Sequence, residues 1–433
     1  MTPIQIGIIG CFLLLALLAA SMPVAFAMAI VGFLGFAVIR SPGAAMSMIT
    51  IDLYDTFSSY SLTVIPLFVF MGQIAFHAGI SRRLFNTAYN WLGRLPGGLA
   101  MSTVGACTAF GAICGSGPAT AATMASVALP EMKRYNYDME LACGAVAAGG
   151  SLGMLIPPSV VFIVYAIMTE QSVGKLFIAG IIPGLFIAFL FCLTIYLNCK
   201  LHPHMGPAGQ RVSWKTKFAS LAGVSETLIL FIVVIGGMFG GFFTPTEAAA
   251  IGAAGSLIIA ATKRKLTPKM LAQSLKETVR TSCMVMIIVT GAVIFGHFLA
   301  VTRIPFELAS SLAILPLPGW VIIGLIILFY LVVGCFVDAL ALILLTIPIF
   351  YPVVTQLGFD PIWFGVIIVV VTQMGVISPP VGVCVYVVSG IARDVPLQTI
   401  FRGALPFLAA LIIAAIVLIA LPQLCLWLPN LVK

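Results

Sequence analysis

Apolar runs follow one another along almost the whole chain, parted by short polar stretches or by Gly and Pro. Measured against the roughly 20 residues a helix needs to cross hydrocarbon, they predict ten crossings. These lie near 4–20, 24–40, 58–78, 141–168, 176–199, 222–243, 247–262, 281–301, 361–392 and 403–429. Two further apolar stretches, about 97–130 and 318–352, are folded back by Gly and Pro and predict re-entrant hairpins. The first is broken at Gly115-Ser-Gly-Pro118 and ends at Pro130; the second has its tip near Gly334 and ends at Pro348. An amphipathic arm, Arg82 to Arg94 with Tyr89 and Trp91, precedes the first hairpin and suits a membrane interface.

One phrase occurs twice. Gly153-Met-Leu-Ile-Pro157-Pro158 and Gly375-Val-Ile-Ser-Pro379-Pro380 are offset by 222 residues, each inside an apolar segment. Proline cannot donate to the preceding turn, so upstream carbonyls lose their partners. In hydrocarbon such groups must be satisfied by protein, water or an ion. Pro23 and Pro245, Leu95-Pro-Gly97 and Leu317-Pro-Gly319 repeat at the same offset, and Pro130 and Pro348 at 218. The chain therefore reads as two repeats, 1–210 and 222–433. Five crossings in each half make the repeats inverted, the plan of secondary transporters with a midplane site.

Composition agrees: 61% of the 433 residues are hydrophobic and 8% charged, where a soluble domain carries about 25% charged. The net charge of +8 is not a nucleic-acid footprint. Seventeen of 21 Lys and Arg lie in segments 79–95, 131–140, 200–217, 263–280 and 393–402, leaving Arg40, Lys175, Arg303 and Lys433. The positive-inside rule makes those five segments cytoplasmic, both termini periplasmic and the bases of the two hairpins opposite in side. The N-terminus shows no basic region or cleavage site of a signal peptide. The ten cysteines lack metal spacing and read as small buried hydrophobes; His202 and His204 read as solvated. No Walker loop, HExxH or GxSxG elbow marks an enzyme or a nucleotide-driven pump, so energy must come from an ion gradient.

Two half-sites follow. The first joins Cys114, Gly115, Ser116, Gly117, Pro118 and Thr120 to the break Gly153–Ser159; the second joins Gly334–Asp338 to Gly375–Gly382. Hydroxyls and freed carbonyls are hard oxygen ligands that suit Na⁺. A carboxylate in an apolar hairpin is usually functional: Asp338 is expected to ligand Na⁺, carry a proton or cap its hairpin's second limb. Glu247 fits a capping box with Thr244. His297 and Gln373 lie in crossings, as path-lining or packing residues. Asp52 and Asp55 fall in a periplasmic segment, 41–57, solvated or facing a partner.

Gly115-Ser-Gly-Pro-Ala-Thr, Gly149 to Ser159, Thr244-Pro-Thr-Glu-Ala-Ala-Ala250 and Gly375 to Gly382 resemble the large, DctM-like membrane subunit of tripartite ATP-independent periplasmic (TRAP) transporters. The resemblance spans essentially the whole chain. It implies an all-α, elevator-type symporter of the bacterial inner membrane, working with a small four-helix membrane subunit and a periplasmic binding protein that delivers a small organic anion. It also implies Na⁺ coupling. One ion site would use Cys114, Ser116, Gly153, Ile156 and Pro158, mostly through backbone oxygen. The other would use Gly334, Asp338, Gly375, Ser378 and Pro379. Gly117, Pro118, Thr120, Ser159, Gln373, Pro380 and Gly382 are the expected substrate lining. Cys114 departs from a good Na⁺ ligand set, since only its carbonyl could serve. A stand-alone ion or dicarboxylate transporter of the same superfamily, or a non-transporting scaffold subunit, is the alternative.

Overall fold

The computed structural model describes residues 2–209, 212–314 and 318–431. All regular structure among them is helical. The first half contains α1 (Pro3–Ala19), α2 (Val24–Ile39), α3 (Pro42–Ser58), α4 (Val64–His77) and α5 (Ile80–Leu92). It continues with α6 (Gly98–Cys114), α7 (Gly117–Arg134), α8 (Met139–Ser151), α9 (Val160–Thr169) and α10 (Val173–Leu201). After a short α11 (Trp214–Ser220), the second half runs through α12 (Ala222–Phe231), α13 (Gly237–Phe239), α14 (Pro245–Thr262), α15 (Pro268–Thr302) and α16 (Ile304–Ile314). It closes with α17 (Gly319–Gly334), α18 (Ala339–Gln356), α19 (Pro361–Ile377), α20 (Val383–Ile391), α21 (Leu397–Ala420) and α22 (Gln423–Leu431).

An offset of 222 superimposes the two element orders. It carries α7 onto α18, α8 onto α19, α9 onto α20 and α10 onto α21 within a few residues at either end. The first crossing's counterpart is α12 and α13 joined by a π-helical stretch, Ile232–Gly236, and α2 corresponds to α14. The correspondence differs at one place. The segment expected as a solvated stretch, 41–57, is the amphipathic helix α3, started by a Ser41 side-chain cap and Pro42. In the second half the equivalents of α3 and α4 are fused into the 35-residue α15. The eighth crossing therefore begins at Pro268 rather than near 281. Pro130 and Pro348 lie inside α7 and α18 instead of ending them. The repeated Leu317 landmark lies outside the described residues.

The helices pack in two groups. One is a frame in which α15 lies against α2, α3 and α4, with α14 on α4 and α1 on α2. The other gathers the hairpins and broken helices: α6 and α7 pack on α8, α17 on α19, and α21 on both α8 and α19. Here backbones nearly touch, since a Cβ on Gly144 of α8 would lie 2.1 Å from the Gly403 carbonyl oxygen of α21. Small residues permit such approach between apolar helices. The hairpin α6–α7 joins the frame through α5, which Arg83 ties to Glu226 of α12 at 3.1 Å; Lys263 pairs with the same carboxylate.

Candidate functional site

Helix α6 ends at Cys114, and Gly115 takes the left-handed conformation (φ 65°) that reverses the chain cheaply. Ser116 is extended and α7 begins at once, with Pro118 in the first turn, where no donor is needed. This tip sits on the first break. The Val160 N–H donates to the Gly115 carbonyl at 3.3 Å. A Cβ on Gly153 would lie 2.6 Å from Thr120 Oγ1 and 2.9 Å from the Ser116 carbonyl oxygen. Thr120 Oγ1–H donates to that carbonyl at 2.8 Å. Pro157 and Pro158 cannot serve the carbonyls of Gly153 and Met154. The Ser159 hydroxyl repairs Met154, and Ile156 N–H goes to Leu152, leaving the Gly153 carbonyl without a helical donor. The Ile156 side chain packs on Gly184 of α10, so only its backbone is available to a ligand.

The second half repeats this docking. A Cβ on Gly375 would lie 2.3 Å from the Gly334 carbonyl oxygen, and the Val381 N–H donates to the Cys335 carbonyl at 3.3 Å. The Ser378 hydroxyl donates to Met374 at 2.6 Å and its N–H to Gly375 at 3.3 Å. Prolines at 379 and 380 leave the Val376 carbonyl with no helical donor. The two sites differ in cover: Pro157 and Pro158 are buried, whereas Pro379 and Pro380 are exposed.

A cavity of about 140 Å³ lies between the frame and the hairpins. Cys114, Ser116, Gly117 and Pro118 of the first tip line it, and Asp338 lines it from the second hairpin. Asp338 thus faces the first half-site, and none of Gly375 to Gly382 is among the cavity walls. The Leu340 N–H donates to Asp338 Oδ2 at 3.1 Å, so the residue caps α18. The residue is solvent-accessible and lines the cavity at the start of the second limb of its hairpin. Frame residues complete the wall: Val69 and Gln73 from α4, and Thr281, Met284 and Ile288 from α15. No motif marks these, and only Gln73, a lone polar residue in an apolar run, could have signalled them.

Of the expected substrate lining, Gly117 and Pro118 reach the cavity. Thr120 and Ser159 are buried and bonded to backbone. Gln373 is fully buried, and neither amide atom has a hydrogen-bond partner among the described residues. Gly382 starts α20 with φ 51° against Phe401. Glu247 closes its capping box with Thr244. Asp52 is not solvated: it is buried, 3.0 Å from His297 Nδ1. Burial raises its carboxyl above the usual range, and His297 opposes that shift.

Gln73, Cys114 and Ala119 also line a second cavity of about 390 Å³, which shares Ser126 with a third of about 200 Å³ next to Arg82 and Glu131.

The chain matches, over residues 11–424, the family described as "Tripartite ATP-independent periplasmic transporter, DctM component". The chain belongs to this family. A C4-dicarboxylate TRAP transporter large permease of Pseudomonas aeruginosa is 38% identical to it, covering 90% of this chain and 91% of the relative. The sialic acid TRAP transporter large permease of Vibrio cholerae is 34% identical, covering 96% and 97%. An ectoine/5-hydroxyectoine large permease of Ruegeria pomeroyi is 30% identical, covering 92% and 93%. Among solved structures, the Alcanivorax borkumensis YdaH transporter aligns with a TM-score of 0.64 at 14% identity, over 89% of this chain and 90% of that one; this likeness concerns the fold. The TRAP large permeases are multi-pass membrane transport proteins, not enzymes.

Proposed function

We propose that the chain is the transport subunit of a Na⁺-coupled TRAP symporter for a small organic anion. In this reading it sits in the bacterial inner membrane with both termini periplasmic. It works with a small four-helix subunit and a periplasmic binding protein, and its hairpin-bearing group moves against the frame as an elevator. The observation that carries the reading is the paired docking of hairpin tip on broken helix. Each docking offers oxygens of the kind Na⁺ needs: Gly153, whose carbonyl lacks a helical donor, packs on the Ser116 carbonyl and Thr120 hydroxyl, and Gly375, next to Val376 with its own unserved carbonyl, packs on the Gly334 carbonyl. Cys114, Ile156, Pro158 and Pro379 contribute backbone oxygen at most, and Ser378 its hydroxyl.

The starts of α7 and α18 both reach the central cavity. Helix N-termini favour anions, which supports a carboxylate or sulfonate as cargo. The row of neighbouring cavities that share Gln73, Cys114, Ala119 and Ser126 and end beside Arg82 supports an inward-facing arrangement.

The test is uptake in proteoliposomes. Chain and small subunit, with substrate-loaded binding protein outside, should take up substrate only with an inward Na⁺ gradient. The chain without its partners should be inactive. Vigorous uptake by the chain alone would favour the stand-alone carrier, and uptake that ignores Na⁺ but follows protons would reassign the ion.

A further inference from the structure

A fourth cavity, about 750 Å³, lies along the distal half of the second limb of the second hairpin. Its walls are the end of α15 (Gly296, Ala300), the turn into α16 (Arg303, Phe306) and the distal half of α18 (Pro348, Gln356). The third cavity is built from the matching start of α5 and distal half of α7, and the second adds the end of α4 together with residues of α6, α15 and α20 that have no counterpart in the fourth. The equivalence reaches side chains. Arg82 and Phe85 face one set, Arg303 and Phe306 the other, each pair 221 residues apart, with Pro130 answering Pro352 at 222.

We infer that Arg82 and Arg303 form a pseudo-symmetric pair of anion-guiding cations, one at each mouth of the path, each attracting the anionic group of the cargo. The inference rests on the proposed reading that the chain carries an organic anion. Neither arginine has a carboxylate within ion-pair reach among the described residues, whereas the neighbouring Arg83 is held by Glu226. Both are exposed. Arg82 lies in the first turn of α5, where the helix dipole disfavours a cation, so helix stability does not explain it. Arg303 occupies a left-handed position (φ 61°) that glycine would take more cheaply. It is also one of four cations outside the five basic segments. Acidic groups stand near each: Glu277, beside His77, lines the second cavity and Glu131 the third, the latter 3.9 Å from Arg134, and Glu307 follows Arg303 by one turn of α16. A cation in a cleft with low-dielectric walls raises the local concentration of an anion.

The full chain is tested in right-side-out and inverted membrane vesicles, in a Cys283→Ser background because Cys283 is the exposed cysteine. Gln356→Cys or Asn86→Cys supplies a thiol in one mouth. The probes are the negatively charged ethylsulfonate and the positively charged trimethylammonium methanethiosulfonates. Gln356→Cys should label from outside and Asn86→Cys from inside. Arg303→Gln should lower the anionic-to-cationic rate ratio at position 356 by about tenfold and leave position 86 unchanged; Arg82→Gln should do the reverse. Arg303→Lys should hold the ratio. A change under twofold, an equal fall with Lys, or labelling of both positions from one side would overturn the pair. Uptake in the reconstituted complex is then measured with succinate, sialic acid, isethionate and ectoine. For whichever is carried, Arg303→Gln should raise KM several-fold with maximal rate kept. If none is carried, the reading of the cargo fails while the reagent ratios still decide the pair.

Discussion

Replacing Gly375 by Ala probes the docking most directly. The added methyl would sit 2.3 Å from the Gly334 carbonyl oxygen and 2.4 Å from its carbon. Both are backbone atoms, which cannot swing aside as a side-chain tip can. Overpacking of this kind costs about 1–3 kcal/mol, and a backbone obstacle puts the expectation near 3. Gly324 on the same hairpin has nothing within 4 Å of an added Cβ. There Ala should be neutral or stabilising by up to about 1 kcal/mol, from helix propensity. The assay is denaturation of the purified complex in detergent, with and without Na⁺. If Na⁺ binds at the docking, the native complex gains about 2.7 kcal/mol at a hundredfold excess over Kd, and Gly375→Ala should lose most of that increment while Gly324→Ala keeps it. Equal behaviour of the two variants, or an undiminished Na⁺ increment in Gly375→Ala, would refute the argument.

Asp338→Asn keeps shape and an oxygen for the Leu340 cap but removes the charge; in reconstituted uptake it should sharply weaken Na⁺ dependence at fixed pH while expression is kept. Thiols placed at Ser47 and Lys265, both exposed, should label from opposite sides of the membrane, and labelling from one side would sink the inverted repeat. Asp52 has a raised folded-state pKa, so its contribution is favourable below the unfolded value near 4 and is lost as pH rises through the folded value. Denaturation from pH 4 to 7 should therefore show a flatter profile for Asp52→Asn, with no loss of stability at neutral pH.

Much of this fold could be read because its interruptions are chemical. Proline and glycine leave the same mark in a sequence as in a helix, so the two breaks and both hairpin tips stand where their motifs put them. The first hairpin's Gly-Ser-Gly-Pro became a two-residue reversal for the same reason. Prolines in α7 and α18 misled because a membrane helix tolerates Pro where neighbours satisfy the freed carbonyl. Helix α3 escaped because its apolar positions alternate with Asp52, Asp55 and Thr residues, a surface pattern with too little hydrophobicity for a span. The frame's share of the cavity was illegible for another reason. Val69, Met284 and Ile288 are ordinary members of apolar helices, and only the tertiary packing of α4 and α15 beside the hairpin tips makes them walls.

The repeat is faithful in backbone and unfaithful in charge, and that difference bears on coupling. The offset that pairs Gly153 with Gly375 also pairs Ser116 with Asp338, so one tip is neutral and the other carries a carboxylate. Among its described lining residues the central cavity holds that carboxylate and no Lys or Arg. An organic anion entering it would meet a like charge in a confined, poorly screened space, which is unfavourable even beside two helix N-termini. Under the proposed function, a monovalent cation bound next to Asp338 would cancel that charge and leave the N-terminal dipoles of α7 and α18 to attract the cargo. Under the proposed function, coupling then needs no separate latch: the anion binds well only after the cation has bound. Thermodynamic reciprocity requires the converse, that cargo tighten Na⁺ by the same factor. Asp338→Asn should shrink that mutual enhancement toward one, by letting the anion bind without the ion, whereas a purely capping Asp338 would leave it intact.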